Sequence, residues 1–398
     1  MTPSTAIPAR RWPVISALGI VQIFAWGCSY YLLAVFAAPI ATDTGWPLSW
    51  IVGGLSLGLF VAGLASPRVG QAIRLHGGKP VLELSALLLA AGLLILATAP
   101  ALPVFIAGWA VIGLGMGAGL YDAAFATLGG IYGHAARSAI TSLTLLGGFA
   151  STLCWPLSAF LLNHLGWRWS CATYAAIEIG ICLPLILFAL PGQRPAPDAA
   201  AGQAAPLHLS PDERHASRIL MAIMVLSGLS VTIVSVHLLT ILQGRGLTTA
   251  ETVWLGALLG PAQVAARLFE MASGARHHPI RTMAAATGLG AVGLILLASG
   301  LPIIGAAIVL YGAGNGIFSI ARGALPLTLF GPDRYAPVMG RLARPFLLAQ
   351  AMAPTVGALL ITTIGQENTL AFAAALAVAD AALAGLLWQT IAAGNRAG

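Results

Sequence analysis

Charged side chains interrupt the long apolar stretches of this 398-residue chain at only a few positions. Inside a membrane such residues are energetically costly, so each is a candidate for binding, gating or ion coupling. Their possible chemistry is the pairing of opposite charges, the binding of an ion or the transfer of a proton. The residues in question are Asp122, Glu178, Arg267, Glu270, Arg322 and Asp380.

Uncharged polar and aromatic side chains recur at helical spacing in the same stretches. Residues three or four apart share one face of a helix, as Gln22, Trp26 and Ser29 do. Buried amides need hydrogen-bond partners, which favours a cavity over a lipid-facing surface. For the tryptophans, tight helix packing remains an equal alternative, and for His237 an interfacial hydrogen bond does. The predicted substrate-binding residues are Gln22, Trp26, Ser29, Tyr30, Trp155, His237, Gln263, Asn315 and Gln350.

The composition requires lipid as the main solvent of the chain. Hydrophobic residues make up 58% and charged residues 8%, whereas soluble domains carry about 25% charged residues. The net charge of +7 includes no basic cluster with interleaved aromatics, so no nucleic-acid partner is predicted. The four cysteines lie in apolar stretches without CxxC spacing, and we predict no metal, disulfide or cofactor.

Twelve apolar stretches are long enough for a membrane helix of about 20 residues. The sequence therefore predicts an all-α membrane protein with twelve transmembrane helices. The predicted spans are 13–40, 49–73, 80–100, 103–130, 138–162, 168–190, 217–242, 250–272, 280–300, 302–329, 336–363 and 368–391.

The basic residues assign a side to each loop. With the N-terminus in the cytosol, almost every Lys and Arg falls on or near the cytosolic side, and only Arg168 and Arg245 lie outside. We therefore expect a multi-pass protein of a bacterial inner membrane with both termini cytosolic.

A polar stretch rich in Pro, Ala and Gln divides the spans into two groups of six. The predicted domains are an N-terminal half (1–190), a cytosolic linker (191–216) and a C-terminal half (217–398). The linker ends in Ser210-Pro211-Asp212-Glu213, which predicts a capping box at a helix start.

The two groups repeat one another at an offset of 199 residues. The offset places Arg68 on Arg267, and Gly113 on Gly312. Pro80, Pro103 and Gly166 likewise fall on Pro279, Pro302 and Gly365. Transporters built from such repeats bind substrate between the halves near the middle of the membrane.

The chain resembles the major facilitator superfamily. The segment from Gly70 to Lys79 keeps the two glycines and the last basic residue of the family's loop between spans 2 and 3, although Arg74 and Leu75 depart from it. Trp109 stands where span 4 of the family often carries an arginine. The family includes organic-anion and monocarboxylate transporters and bacterial exporters, which these motifs do not separate.

The resemblance implies a secondary transporter that moves a small solute by alternating access. It places spans 1, 4, 7 and 10 around the cavity and spans 6 and 12, with Glu178 and Asp380, at the periphery, where they are assigned no role. Arg267 and Arg322 would make such a cavity more positive than negative, which favours an organic anion as the solute. The expected partners are a small-molecule substrate and membrane lipid, with a coupling proton left open, and a monomer is expected.

Three alternatives to organic-anion transport involve other chemistry. Cys28 and Cys154 on predicted cavity spans would suit a trivalent metalloid, and drug efflux is a further alternative. A membrane-embedded enzyme or receptor is disfavoured because the chain has no GxSxG or HExxH motif, and the lack of a phosphate-binding loop argues against ATP-driven transport.

An inner gate is the most specific prediction. Asp122 lies about 28 Å along the helix from Pro103, which places it near the cytosolic mouth. Its repeat counterpart is Ala321, next to Arg322. We predict that ion pairs close this side, with Asp122 bound to Arg341, Arg344 or Arg68. The predicted gating residues are Arg68, Asp122, Arg267, Glu270, Arg322, Arg341 and Arg344.

Overall fold

The computed structural model describes residues 11–192, 209–273 and 277–397. The regular structure in these ranges is helical, with no β-strand among them. The predicted linker lies largely outside the described residues.

Nine α-helices precede the linker. They are α1 (Arg11–Gly27), α2 (Leu32–Thr44), α3 (Leu48–His76), α4 (Gly78–Thr98), α5 (Leu102–Gly119), α6 (Tyr121–Tyr132), α7 (Ala136–Gly147), α8 (Ala150–Ile177) and α9 (Leu183–Ala189). Helix α8 consists of two helices that meet at Gly166, whose φ of 73° favours glycine. A π-helical turn, Glu178–Cys182, joins α8 to α9.

Seven α-helices follow the linker. They are α10 (Pro211–Gly244), α11 (Thr249–Ala257), α12 (Leu259–Ala272), α13 (Pro279–Ala298), α14 (Ile304–Phe330), α15 (Pro332–Ile364) and α16 (Gln366–Ala397). The predicted capping box at Ser210 is confirmed, since its side chain accepts from Glu213 N and Glu213 bonds back to Ser210 N. The same Glu213 carboxylate holds Arg334 at the start of α15, with 2.6 Å between Nη2 and Oε1.

Ten described helical stretches are long and apolar enough to cross a membrane. One of them, Leu102–Ala189, is 88 residues long and runs through α5 to α9. It covers three of the spans that the sequence predicts. An all-helical membrane architecture is therefore present.

Helices from the two sides of the linker pack tightly along α3 and α15. A Cβ atom at Gly70 would collide with the carbonyl oxygen of Ala336, and one at Gly340 with that of Ser66. These contacts join the C-terminal part of α3 to the N-terminal part of α15. Close backbone approach through small residues is the usual way in which membrane helices associate.

Candidate functional site

The break between α5 and α6 exposes backbone groups in the interior of the helix assembly. Leu120 is extended, with φ −72° and ψ −173°, so the helix cannot continue through it. Gln22 is fully buried in α1, and its Nε2 donates to the Gly119 carbonyl oxygen at 2.7 Å. Its Oε1 accepts from Trp26 Nε1 at 3.2 Å. The predicted Gln22–Trp26 pair therefore holds the broken helix end, whose carbonyls lack partners within the helix.

Five aromatic rings gather beside this break, and we call them the aromatic cluster. Trp26 lies 5.2 Å from Tyr30 and 5.1 Å from Tyr121 between ring centroids. Tyr31 lies 5.3 Å from Tyr30 and 5.9 Å from Trp155. Trp26, Tyr30 and Trp155 were predicted from the sequence, whereas Tyr31 and Tyr121 were not. Edge-to-face and tilted contacts of this kind hold the rings in defined orientations, and one face of Tyr121 is stacked on Phe125 with 5.2 Å between centroids.

The Arg267 side chain reaches the aromatic cluster from α12. Its guanidinium lies close enough to Tyr31 and Tyr121 for its charge to act on both hydroxyl groups. A Cβ atom at Gly148 would collide with Arg267 Nη1, and one at Gly147 would lie 2.5 Å from the Tyr121 hydroxyl oxygen. The two glycines that end α7 therefore make room for one cation and one hydroxyl group.

Arg267 is a buried cation with no carboxylate partner among the described residues. Only 6% of its surface is exposed. Its Nε donates to the Gly316 carbonyl at 3.2 Å, and its Nη2 has a long contact of 3.5 Å with Gln263 Oε1. A buried charge that is only partly compensated is costly, and an anion at this position would offset the cost. Arg267 thus places a partly compensated positive charge next to the aromatic cluster.

An ion pair joins the helices before the linker to those after it. Asp122 Oδ1 lies 2.5 Å from Arg322 Nη2, and both side chains are largely buried. The guanidinium also stacks 4.2 Å above the ring of Phe346. This pair spans the interface between α6 and α14, where Gly323 packs on Phe125.

The sequence model of the Major Facilitator Superfamily matches residues 18–274 of this chain. The chain belongs to this superfamily. It is therefore a transporter rather than an enzyme, and the family implies secondary transport of a small solute. No curated protein sequence matches the chain.

Solved structures of other transporters share the fold at low sequence identity. The human organic anion transporter MFSD10 (TETRAN) is 16% identical, with a TM-score of 0.74 over 94% of this chain and 99% of that chain. The proton:xylose symporter XylE is 11% identical, with a TM-score of 0.75 over 96% and 95%. FucP in its outward conformation is 12% identical, with a TM-score of 0.72 over 94% and 98%.

The partner of Asp122 in this transporter differs from the prediction. The sequence suggested Arg341, Arg344 or Arg68, but these three side chains are exposed and form no ion pair in the described structure. Helices α6 and α14 face each other, so the charges at equivalent depths meet.

Glu270 belongs to a second contact between the two sets of helices. Its Oε1 lies 3.7 Å from Arg137 Nη2 and accepts from Thr282 Oγ1 at 2.8 Å. Arg137 Nη1 also donates to the carbonyl oxygen of His277. Burial, with the charges of Arg137 and Arg281, lowers the pKa of the neighbouring His278. His278 is thus neutral at neutral pH and accepts from Ile280 N.

For four predicted substrate-binding residues, the described contacts are with groups outside the aromatic cluster. His237 packs against Gly357 and bonds the Pro354 carbonyl at 3.0 Å, as the interfacial alternative proposed. Ser29 donates to Ala25 O within its own helix. Asn315 lines a separate cavity described below, and Gln350 is half-buried without a described hydrogen bond.

The cysteines offer no support for the metalloid alternative. Cys28 Sγ faces Glu178 Oε1 at 3.4 Å, and Cys154 Sγ faces the Ile23 carbonyl. No group of three or more His, Cys, Asp or Glu side chains in the described part of the chain could hold a metal ion. Trp109, at the position of the family's arginine, is fully buried against Gly54 and acts in packing.

Proposed function

We propose that this transporter moves a small organic anion and that Arg267 binds its negatively charged group. The observation that carries the proposal is the burial of Arg267 without a carboxylate partner, beside the aromatic cluster. An anion would compensate the guanidinium, and the rings of Trp26, Tyr31 and Tyr121 would pack on the organic part of the solute.

Fold similarity gives this proposal modest support. One structural neighbour is described as an organic anion transporter, but its identity of 16% speaks only for the fold. Another, XylE, is described as a proton:xylose symporter, so the fold alone does not select a charge. The argument for an anion therefore rests on the surroundings of Arg267.

We further propose twelve crossings in two halves, 1–190 and 217–398, joined by a cytosolic linker, with both termini in the cytosol of a bacterial cell. The tight packing of α3 against α15 and the Asp122–Arg322 pair would then close the cytosolic side. Opening that side requires these contacts to separate, as alternating access demands. The basic loops support this orientation.

A binding screen with purified protein tests the substrate class. We expect benzoate, lactate or another small carboxylate to raise the melting temperature, and the matching amides to leave it unchanged, because only the carboxylate compensates Arg267. Arg267→Gln should abolish the shift. A hit would then be followed as radiolabelled uptake into proteoliposomes.

Arg245→Gln is a suitable control for Arg267→Gln. Arg245 already has a carboxylate partner in Glu367, at 2.6 Å, outside the aromatic cluster. Its replacement should leave anion binding intact. Shifts caused equally by amides and carboxylates, or an unchanged response in Arg267→Gln, would refute the anion proposal.

Cysteine labelling of intact cells tests the orientation. A thiol reagent that does not cross the membrane should label a cysteine at position 245 and not one at position 205, which lies outside the described residues. Labelling at 205 would overturn the proposed topology.

A further inference from the structure

Asp380 is a buried carboxyl group in α16 that the anion site does not use. Only 4% of its surface is exposed. One oxygen, Oδ2, accepts a hydrogen bond from Ser227 Oγ, whereas Oδ1 has no hydrogen-bond partner in the described structure. None of the described Lys, Arg and His side chains forms an ion pair with it. A bare carboxylate at such a position is costly unless one positive charge accompanies it.

The carboxyl group lines a cavity between α10, α13, α14 and α16, which we call the Asp380 cavity. The polar groups around it are hydroxyls and one amide, and the remaining lining is aliphatic or Phe318. The oxygen-bearing lining residues besides Asp380 are Ser227, Ser230, Thr287, Tyr311 and Asn315. Oxygen ligands of this kind suit a hard cation, and no thiol or imidazole is present in the lining.

Three of these hydroxyl groups already donate their protons elsewhere. Ser230 Oγ donates to Ala373 O at 3.3 Å, Thr287 Oγ1 to Met283 O at 3.1 Å and Tyr311 Oη to Val231 O at 3.5 Å. A hydroxyl group has one proton and two lone pairs, so these oxygens remain available as acceptors. The cavity is thus arranged to receive positive charge.

Few ionisable groups could interfere with a cation there. Tyr311 of α14 is the other titratable residue that lines the cavity, α10 and α13 contribute hydroxyl groups, and α15 contributes no lining residue. A cation in the cavity would therefore face a single carboxylate, that of Asp380.

The equivalent position before the linker has different chemistry. Ser227 stands 199 residues after Cys28, the repeat offset, and Cys28 faces the other buried carboxyl group, Glu178. Glu178 interacts with two thiols, those of Cys28 and Cys182. The repeat counterpart of Asp380 is Ile181, three residues from Glu178. The buried acid before the linker thus faces thiols, which are poor ligands for a hard cation, and the buried acid after it faces oxygen ligands.

We propose that the Asp380 cavity binds one monovalent cation, Na⁺ or a proton, that neutralises the Asp380 carboxylate. The proposal rests on the proposed function as a gradient-driven transporter, in which this cation would be the coupling ion. Asn315 and Arg322 are both on α14, so occupancy of the cavity can influence the helix that carries the Asp122–Arg322 pair.

Two measurements on the purified full-length protein separate the ions. If Na⁺ binds, the melting temperature rises with NaCl relative to choline chloride at constant ionic strength, and saturates. If a proton binds, Na⁺ has no effect, and infrared difference spectra between two pH values contain a carboxylic C=O band that Asp380→Asn removes. Absence of both responses in the wild type, or their persistence in Asp380→Asn, would overturn the proposal.

Glu178→Gln is the matched control, since it removes the other buried carboxyl group and should leave either response intact. Ser227→Ala keeps the Asp380 carboxyl and removes its hydrogen bond, which should weaken Na⁺ binding about tenfold or shift the C=O band. If Asp380→Asn does not fold, Ser227→Ala decides: an unchanged response overturns the proposal. The anion screen is independent, so a cation response without carboxylate binding would refute the substrate class and leave this site standing.

Discussion

Three membrane-spanning segments before the linker are broken where their counterparts after it are continuous, whereas α3 is continuous and its counterpart is divided at Leu258 into α11 and α12. The N-terminal set is interrupted between α1 and α2, at Leu120 between α5 and α6, and at Gly148 between α7 and α8. In contrast, α10 runs unbroken for 34 residues and α14 for 27. The two halves, although related by the repeat, thus differ in where their membrane-spanning helices are interrupted.

Because of this difference, the two sets of helices contribute different groups to the candidate site. Broken helices present free carbonyls and local gaps, which membrane proteins tolerate only where protein or a cavity surrounds them. Gln22 bonds one such carbonyl, and Gly148 leaves room for Arg267. The helices after the linker supply the cations Arg267 and Arg322, which reach across to the broken set.

Loss of the ion pair at the interface should have the largest effect. Asp122→Asn leaves Arg322 buried without its carboxylate, and breaking such a pair costs about 3–5 kcal/mol. Separation of α6 from α14 would let the guanidinium hydrate, so the variant should favour the state open on the proposed cytosolic side. Spin labels at His76 and Asp333 should move apart, and transport should fall more than binding.

Charge reversal provides the control for that variant. Asp122→Arg combined with Arg322→Asp should restore the shorter label distance if the pair itself holds the interface. Equal distances in wild type and Asp122→Asn would show that the packing of α3 on α15 closes this side without the pair.

The second-largest effect should come from filling the gap at Gly148. In Gly148→Ala the new methyl group would occupy the position of Arg267 Nη1 and displace the guanidinium. We expect carboxylate binding to weaken about thirtyfold, or about 2 kcal/mol. The measurement is the concentration of benzoate, or of the best carboxylate from the screen, that gives half of the thermal shift.

Gly288→Ala is the control variant for Gly148→Ala and lies after the linker. A Cβ atom at Gly288 in α13 would meet nothing within 4 Å, so affinity should not change. If both alanine variants bind the carboxylate as the wild type does, the gap between α7 and α8 does not position Arg267.

Hydropathy and charge were sufficient to predict the membrane class, because it depends on composition and on the length of apolar stretches. The family was identified by resemblance, from the two groups of six spans and the segment from Gly70 to Lys79. The repeat offset placed Arg322 beside the counterpart of Asp122, yet its pairing with Asp122 was missed. The direction of Asp122 depends on the break at Leu120, an ordinary helix-forming residue that carries no breaking signal.

The binding role that we propose for Arg267 was not among the sequence predictions, which assigned this residue to the gate. Its position near the end of a predicted span suggested a gate, whereas the side chain extends to the carbonyl of Gly316 in the middle of α14. Tyr121 and Tyr31 of the aromatic cluster were also not predicted. Each is next in sequence to a predicted residue, Asp122 and Tyr30, and this proximity was the one feature of the sequence that could have pointed to them. Helical periodicity excludes adjacent residues from a shared face, but the interruption between α1 and α2 brings Tyr30 and Tyr31 into contact.

Removal of the amide at the broken helix should have a smaller effect on stability. Gln22→Leu leaves the Gly119 carbonyl without its donor, which costs about 1–3 kcal/mol when a buried group loses its partner. The melting temperature should fall. Gln350→Leu is the matched change after the linker, where no described hydrogen bond is lost, and it should have little effect. Equal losses in the two variants would contradict the role given to the break.

The smallest effect should come from the outer of the two ion pairs. Arg137 and Glu270 are 3.7 Å apart with side-chain exposures of 16% and 17%, and partly exposed pairs of this kind contribute about 1 kcal/mol or less. Glu270 keeps its contact with Thr282 if it becomes glutamine, because an amide oxygen can still accept. Glu270→Gln should therefore change the His76–Asp333 label distribution much less than Asp122→Asn does, and any change should shrink as salt is added, since screening acts most strongly on solvated pairs. A shift as large as that of Asp122→Asn, and insensitive to salt, would mean that the interface is held at its edge and not by the buried pair between α6 and α14.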